Sequence, residues 1–381
     1  MTNGPCGISR RRLLALGLVA PLGPVQAQAP TPNQELTRRV LQFPRDRGSH
    51  PDFSIEWWYL TGYLRTGTGS AEREFGFQLT FFRSRVAATQ GMTSAFAAKQ
   101  LIFAHAGLTD VRGKKLMHDQ RIARAGFELA QASEQDTAIT LRDWSLKREA
   151  THYRAVVAGP EFGFALAVRE TQALLLQGDQ GLSRKGPDAT QASYYYSLPQ
   201  LVVSGTLTLA GQPMPVHGSA WLDHEWSQAL MHPQAVGWDW IGMNLVDGSA
   251  LTAFRLRDKT GQALWAGGSF RPPAMGATPH VFEHDDVLFQ PLRYWTSPAT
   301  QARYPVQWTV HLKNPRKSAS AASARSEFYT VKAVIEAQEL DSRSSTGTVY
   351  WEGLSELFDN QGQLVGRGYL EMTGYASPLR L

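Results

Sequence analysis

The sequence specifies an all-β protein of two tandem antiparallel β-barrels or sandwiches, with few short helices. Three observations point there. After about residue 45 apolar residues recur mostly at every second position, and helical spacing of 3.6 is rare. The 34 Gly and 21 Pro break the chain into short runs, as turns between strands require. Eleven Trp, twelve Tyr and seventeen Phe, against 19% charged residues, suit large apolar interiors.

The first element is a leader. Ser9-Arg10-Arg11-Arg12-Leu13-Leu14 sets consecutive arginines before the apolar run Leu13 to Ala20, and Val25-Gln26-Ala27 is a small-residue cleavage site. The run is too short to span a membrane, and the arginine pair predicts twin-arginine export, cleavage near Ala27 and a periplasmic product. Cys6, the single cysteine, lies inside this leader, so thiolate catalysis and Cys-ligated metals are not expected. The formal charge of +5 includes three leader arginines and no leader acids, which leaves +2 for the rest. Those remaining Lys and Arg are scattered, so no nucleic-acid partner is expected.

A short helix is expected at Gln34–Leu41, closed by Phe43-Pro44. Strands are expected at Ser54–Leu64, Glu74–Arg85, Gln100–Asp110, Ala138–Trp144, His152–Val157, Phe162–Arg169, Leu201–Leu209 and Met214–Trp221. Trp57-Trp58-Tyr59-Leu60-Thr61-Gly62 followed by Leu79-Thr80-Phe81-Phe82-Arg83 is echoed later. There Trp238-Asp239-Trp240-Ile241-Gly242 precedes Leu251-Thr252-Ala253-Phe254-Arg255. Two related units in tandem produce such an echo. The expected segments are a leader over 1–27, an N-terminal domain over 28–229 and a C-terminal domain over 230–381. Their seam falls near Ser227–Val236, where His232-Pro233 interrupts the strand pattern.

Several blocks carry a resemblance: DFSIEWWYLTGYL at 52–64, QGDQGLSRK at 177–185, ASYYYSL at 192–198, WLDHEWS at 221–227 and GWDWIGMN at 237–244. YWEG at 350–353 and GRGYLEMTGY at 366–375 complete the set. In this order they resemble the hydroxyneurosporene synthase (carotenoid 1,2-hydratase) and AttH-type lipocalin-like family, from about Phe43 to Tyr375. The resemblance implies two lipocalin-like barrels and a family of mixed biochemistry. Some members hydrate a carotenoid double bond, and many exported ones look like companions of membrane transporters. In the hydratases a His-x-Trp pair is implicated, which His224 and Trp226 match. The leader departs from a carotenoid hydratase and argues against a carotenoid substrate.

Four residues are candidates for chemistry. On a strand, Asp223 and Glu225 share one face while His224 and Trp226 share the other. Glu56 shares a face with Trp58; burial against indole raises its pKa and fits a general acid, whereas pairing with Arg83 makes it structural. Trp57, Trp58, Tyr194, Tyr195, Tyr196, Trp226, Trp238, Asp239 and Trp240 are candidate ligand contacts. The indoles and phenols among them offer π-faces to a cation, or serve as ordinary barrel core. Asp239 points away from its flanking indoles, toward solvent or the seam, and leaves both indoles to the core. No Gly-x-Ser-x-Gly nucleophile elbow occurs, and no cofactor is expected, with Walker and dinucleotide glycine patterns missing. No metal is expected either, although His105 and His224 with adjacent acids keep that reading open.

Three functions fit these residues. One is a periplasmic carrier of an apolar small molecule or lipid, accessory to a membrane transporter. The second is an alkene hydratase of hydro-lyase type. The third is a structural partner with filled barrels.

Overall fold

The computed structural model describes Met1 and residues 35–229, 231–274, 276–313 and 327–379. The leader and its cleavage site near Ala27 lie outside these residues. Among the described residues helix is limited to 3-10 turns at Arg45–Arg47, Gly69–Ala71, Ala87–Thr89 and His284–Asp286, and no helix is long and apolar enough to cross a membrane.

The first sheet opens with β1 (Ile55–Thr66), β2 (Arg73–Arg85), β3 (Gln100–Asp110) and β4 (Lys115–Arg124). Short strands follow: β5 (Ala130–Ala132), β6 (Ala138–Leu141), β7 (Trp144–Glu149), β8 (His152–Ala158) and β9 (Phe162–Arg169). β10 (Leu175–Leu176), β11 (Leu182–Arg184), β12 (Ala192–Leu209) and β13 (Gln212–Ala229) complete it. Its antiparallel order is β4-β3-β2-β1-β13-β12-β9-β8-β7-β6-β5, with β10 and β11 on β12. β6 also packs against β3 and β4, so the sheet curls almost shut around a core that includes Trp58, Phe77, Phe81 and Trp226.

The second sheet begins with β14 (Gly237–Leu245), β15 (Ala250–Arg257), β16 (Ala263–Arg271), β17 (His280–Phe282) and β18 (Val287–Thr296). It continues with β19 (Arg303–Leu312), β20 (Glu327–Ala333), β21 (Glu339–Asp341), β22 (Val349–Phe358) and β23 (Leu364–Met372). The order is β17-β16-β15-β14-β23-β22-β20-β19-β18, with β21 on β22, around Trp308, Trp351 and Tyr304. Tyr59, Trp221, Trp240, Phe254, Leu354 and Tyr369 form a further apolar cluster joining the two sheets. The fold is the lipocalin-like, all-β class that the sequence predicts.

The internal echo has a structural meaning. Glu56 lies opposite Arg83 and Trp57 opposite Phe82; Asp239 lies opposite Arg255 and Trp240 opposite Phe254. Each acid points into its own sheet and pairs with its arginine, Glu56 Oε2 to Arg83 Nε at 2.8 Å and Asp239 Oδ2 to Arg255 Nε at 2.7 Å. By strand alternation each following Trp then faces the other sheet. On the other flank Trp57 neighbours Glu225 and Trp240 neighbours Glu371, so the echo extends to the closing strands.

Three expectations need correction. Residues 35–41 of the expected helix are not helical. Leu36 and Leu41 both pack into the first core and Thr37 O accepts from the Tyr194 hydroxyl at 2.6 Å. A helix would advance only about 1.5 Å per residue, whereas these anchors hold the run in an irregular path along the barrel. Ala138–Trp144 is two strands, because Arg142 takes a left-handed φ of 55° and turns the chain. Finally, Trp221–Trp226 lies within β13, not at its end, because β1 and β12 both pair with it there.

Candidate functional site

The alternation of β13 sorts the candidates onto two sides of the first sheet. His224 and Trp226 face inward and are fully buried. His224 stacks on Trp58 at 4.6 Å and Trp226 on His50 at 3.9 Å. Both nitrogens of His224 are engaged, Nε2 with Glu56 Oε1 at 2.9 Å and Nδ1 with the Tyr196 hydroxyl at 3.1 Å. Tyr194 and Tyr196 line the same packed interior. Burial pulls the His224 pKa down to about 4, against the opposing effect of Glu56.

Glu56 is the hub of this interior network. Oε1 is bonded to His50 Nδ1 (2.7 Å) and His224 Nε2, while Oε2 accepts from Ser49 Oγ (2.9 Å) and Arg83 Nε. Burial alone would raise its pKa, but the hydrogen bonds from His224 and His50 outweigh it and hold the carboxyl well below the usual range. The general-acid expectation for Glu56 is therefore corrected: it is a carboxylate, without a proton to give. His50, Glu56 and His224 also converge closely enough to consider a metal, with ligand atoms within 4.8 Å of one another. The residues fit one poorly, since the oxygen facing both imidazoles is already bonded to both and its partner oxygen is tied to a buried arginine.

Asp223 and Glu225 face outward, toward the second sheet, where a cavity of ≈ 320 Å³ lies between the sheets. Trp57, Tyr195, Trp238 and Trp240 line it with them. Trp58, Tyr194, Tyr196 and Trp226 do not, being on the inner face. Asp239 does not either. It is fully buried inside the second sheet, bonded to Arg255, Arg257 and the Tyr375 hydroxyl, because a carboxylate there needs compensating cations. Its flanking indoles face the seam, the reverse of the expected arrangement.

The electrostatics of the cavity are unusual. Asp223 accepts from Ser197 Oγ (2.5 Å), Trp221 Nε1 (2.7 Å) and the Tyr195 hydroxyl (2.8 Å), which itself accepts from Trp240 Nε1 (3.2 Å). Burial nevertheless pushes its pKa up to about 7. Glu225 accepts from Ser193 and pairs with Lys185 Nζ at 3.0 Å; that ammonium lies 4.3 Å from the ring centre of Phe254. From the opposite wall come Glu371 and Glu352, cross-strand neighbours on β23 and β22. Burial pushes Glu371 up to about 8, helped by the charges of Asp223 and Glu225. Glu352 is raised well above the ordinary value by burial and by Glu371. The buried hydroxyls of Tyr59 and Tyr350 beside Glu352 oppose that rise without cancelling it. Burial thus biases these three carboxyls toward their neutral forms within an aromatic chamber.

Glu352, Glu371, Lys185 and His105 were not singled out for this site by the sequence. A signal existed for Glu371: if Glu225 flanks Trp57 in one copy of the echo, an acid on the last strand should flank Trp240 in the other. His105 reaches across the seam, Nδ1 to the Tyr350 hydroxyl and Nε2 to Ser345 Oγ, both at 2.8 Å. Burial, with His118 nearby, lowers its pKa to about 3, so the folded protein holds it neutral. His105→Gln should cost about 1–2 kcal/mol at pH 7. The unfolded chain takes up a proton near 6.5 that the folded chain refuses, so wild-type stability falls with pH below that value. The advantage of wild type should accordingly shrink and then reverse from pH 7 to pH 4 in urea titrations; a wild-type advantage that grows in acid contradicts a neutral His105.

Comparison with known proteins places this geometry. The AttH-like family model matches residues 34–375. The crystal structure of an AttH from Nitrosomonas europaea is 44% identical and superposes with a TM-score of 0.79, covering 89% of this chain and 98% of that one. Kievitone hydratase from Nectria haematococca shares the fold at 13% identity, TM-score 0.66, over 89% of this chain and 94% of its own. CghA crystallised with Sch210972 shares it at 12% identity, TM-score 0.51, over 88% and 96%. No curated protein matches. The match over nearly all the described residues, together with the close likeness to the Nitrosomonas protein, shows that the chain belongs to the AttH-like family.

Proposed function

We propose that the chain binds an apolar, unsaturated small molecule in the inter-sheet cavity and adds water across its double bond. The observation that carries this reading is the set of carboxyls with raised pKa values, Asp223, Glu352 and Glu371, in a chamber walled by Trp57, Trp238 and Trp240. Protonating an isolated alkene needs a neutral acid away from water, and burial raises Glu371 toward its neutral form. The indole faces stabilise the resulting cation by roughly 1–2 kcal/mol each when desolvated. Asp223, held by three donors as an acceptor, removes a proton from the attacking water. Glu225, two residues on along the same strand face and paired with Lys185, lines the cavity beside it. Kievitone hydratase, a remote neighbour in fold, is named for a hydration, which agrees with this chemistry.

A second reading is carriage of the same ligand without chemistry, for presentation to a membrane transporter. The three donors on Asp223 favour it, because they also suit a carboxylate that never takes part in a reaction. Export through the arginine-led leader belongs to both readings.

One experiment separates them. The chain is recovered from the periplasmic fraction of its host without detergent, extracted and examined by mass spectrometry, then incubated with the extracted molecule in D₂O. A bound apolar molecule that gains deuterium and water supports hydration. Binding without deuterium uptake leaves carriage, and an empty cavity that takes up no alkene removes both. Full-length chain found only in the cytoplasm removes export.

A further inference from the structure

The outer face of the first sheet carries an apolar row that runs from the cavity to the protein surface. Strand register aligns Trp57 with Phe82, Phe82 with Phe103 and Phe103 with Ile122 across β1, β2, β3 and β4. Trp57, Phe82 and Phe103 line the cavity, and Phe82 stacks on Phe103 at 5.1 Å. Ile122, on edge strand β4, is 39% exposed. Two residues further along the same face is Arg124, whose guanidinium lies 3.8 Å from the ring centre of Phe127 and 5.6 Å from that of Phe96. Those two rings stack on each other at 5.6 Å, and Arg124 Nη1 donates to Phe96 O at 2.8 Å, which ties the 86–99 loop to the 125–129 turn.

This end of the sheet is apolar where a soluble surface would be polar. Phe96 is 75% exposed, and Phe127 against it, Met92 in the same loop and Leu129 in the adjoining turn each have about half their surface in solvent. Exposed patches of large apolar side chains mark docking surfaces. The charges around this one have a sign. Residues 86–98 contain no acid, Arg85 and Lys99 flank them, and Arg124 holds the two rings; Glu128 is the one acid in the adjoining turn. Aromatic loop tips ringed by Arg and Lys match the interface of a bilayer with anionic headgroups, where the rings enter the acyl boundary and the cations meet phosphate.

We propose that the Phe96–Phe127 loop cluster docks on an anionic lipid surface, and that apolar ligand passes from the bilayer along Ile122, Phe103, Phe82 and Trp57 into the cavity. The docking stands on the patch alone. The passage rests on the reading of the cavity as an apolar-ligand site.

The test uses vesicles of phosphatidylethanolamine with phosphatidylglycerol, and neutral phosphatidylcholine vesicles as comparison. The chain should float with the anionic vesicles at low salt. F96E/F127E should weaken that by roughly tenfold or more, and Lys99→Glu alone by several-fold. Leu288→Glu, an exposed apolar position on the second sheet, should change nothing. N-phenyl-1-naphthylamine supplied in solution should fill the cavity equally in wild type and F96E/F127E, which also certifies the variant's fold. The same probe preloaded in anionic vesicles should transfer several-fold more slowly to the variant. Failure of wild type to float, flotation untouched by F96E/F127E and Lys99→Glu, or capture of a protein partner by this patch without lipid binding each overturns the docking. Flotation with no uptake of probe from any source overturns the cavity reading while leaving the docking in place.

Discussion

Glu56→Gln should destabilise the protein by about 3–5 kcal/mol at pH 7, the loss expected when one member of a buried ion pair is removed. The side chains of Glu56 and Arg83 are 0% and 2% exposed, so neither has water to fall back on. Arg83 would keep the carbonyls of Phe53 and His50 and the amide oxygen of Gln100 but lose its carboxylate partner. The glutamine nitrogen would also face hydrogen-bond donors. Adding Arg83→Met removes the orphaned cation, so the double variant should recover part of the loss, and the cycle isolates the charge interaction. The pH dependence has a definite sign. The folded carboxyl titrates below its ordinary value of 4.5, so its stabilisation is complete above that pH and is lost as pH falls below it. Wild type should therefore converge on the variant in acid. Urea midpoints at pH 7 and pH 3 measure both effects, and a loss under about 1 kcal/mol at pH 7 would mean that the network is not charged as described.

Much of this site was legible in the sequence because strand alternation is a strict rule. The order Asp223, His224, Glu225, Trp226 divides by parity, and the structure sets two of these residues toward the cavity and two into the core. The Trp–Trp echo was visible as well, though its meaning was not. Aligning the copies on their glycines hides the equivalence of Glu56-Trp57 with Asp239-Trp240, which appears only when each arginine is placed opposite its acid. That register also explains why Asp239 is buried: it is the second copy of Glu56. Glu352 and Glu371 were less legible for a different reason. A carboxylate on a closing strand reads as a solvated residue until one knows that a second sheet covers it, and that covering is long-range information. The same holds for Lys185, which follows the short strand β11 and gains its role from Glu225 and Phe254 far along the chain. Leu36 and Val40, four apart, mimic one face of a helix, yet the structure buries Leu36 with Leu41 and leaves Val40 exposed, so tertiary anchors set the path of 35–41.

Asp223→Asn should lower turnover by about 10²–10⁴, the usual worth of a positioned base, while ligand affinity changes by no more than a few-fold. The split follows from geometry. Asparagine keeps the volume beside Trp221 and Tyr195 and one acceptor oxygen, so the cavity retains its shape. It cannot take a proton from water. The same substitution tests the raised pKa independently of any substrate. A carboxyl shifted from 3.8 to about 7 binds its proton more tightly in the folded state, so its ionisation destabilises the fold progressively between pH 4 and pH 7. At about 1.4 kcal/mol per pH unit the penalty grows to at most about 4 kcal/mol, and hydrogen bonds from Ser197, Trp221 and Tyr195 keep it from being larger. The substituted asparagine escapes that penalty but strands one of the three donors, at about 1–3 kcal/mol. The variant should thus be the less stable protein at pH 5 and draw level with, or overtake, wild type by pH 8. If the two stability curves stay parallel from pH 5 to pH 8, Asp223 is ionised throughout. It could then still serve as a base, but the acid–base pairing with Glu371 would lose half its support. If they converge while turnover is unchanged, the carboxyl is a structural group in a carrier, and carriage becomes the better account of the cavity.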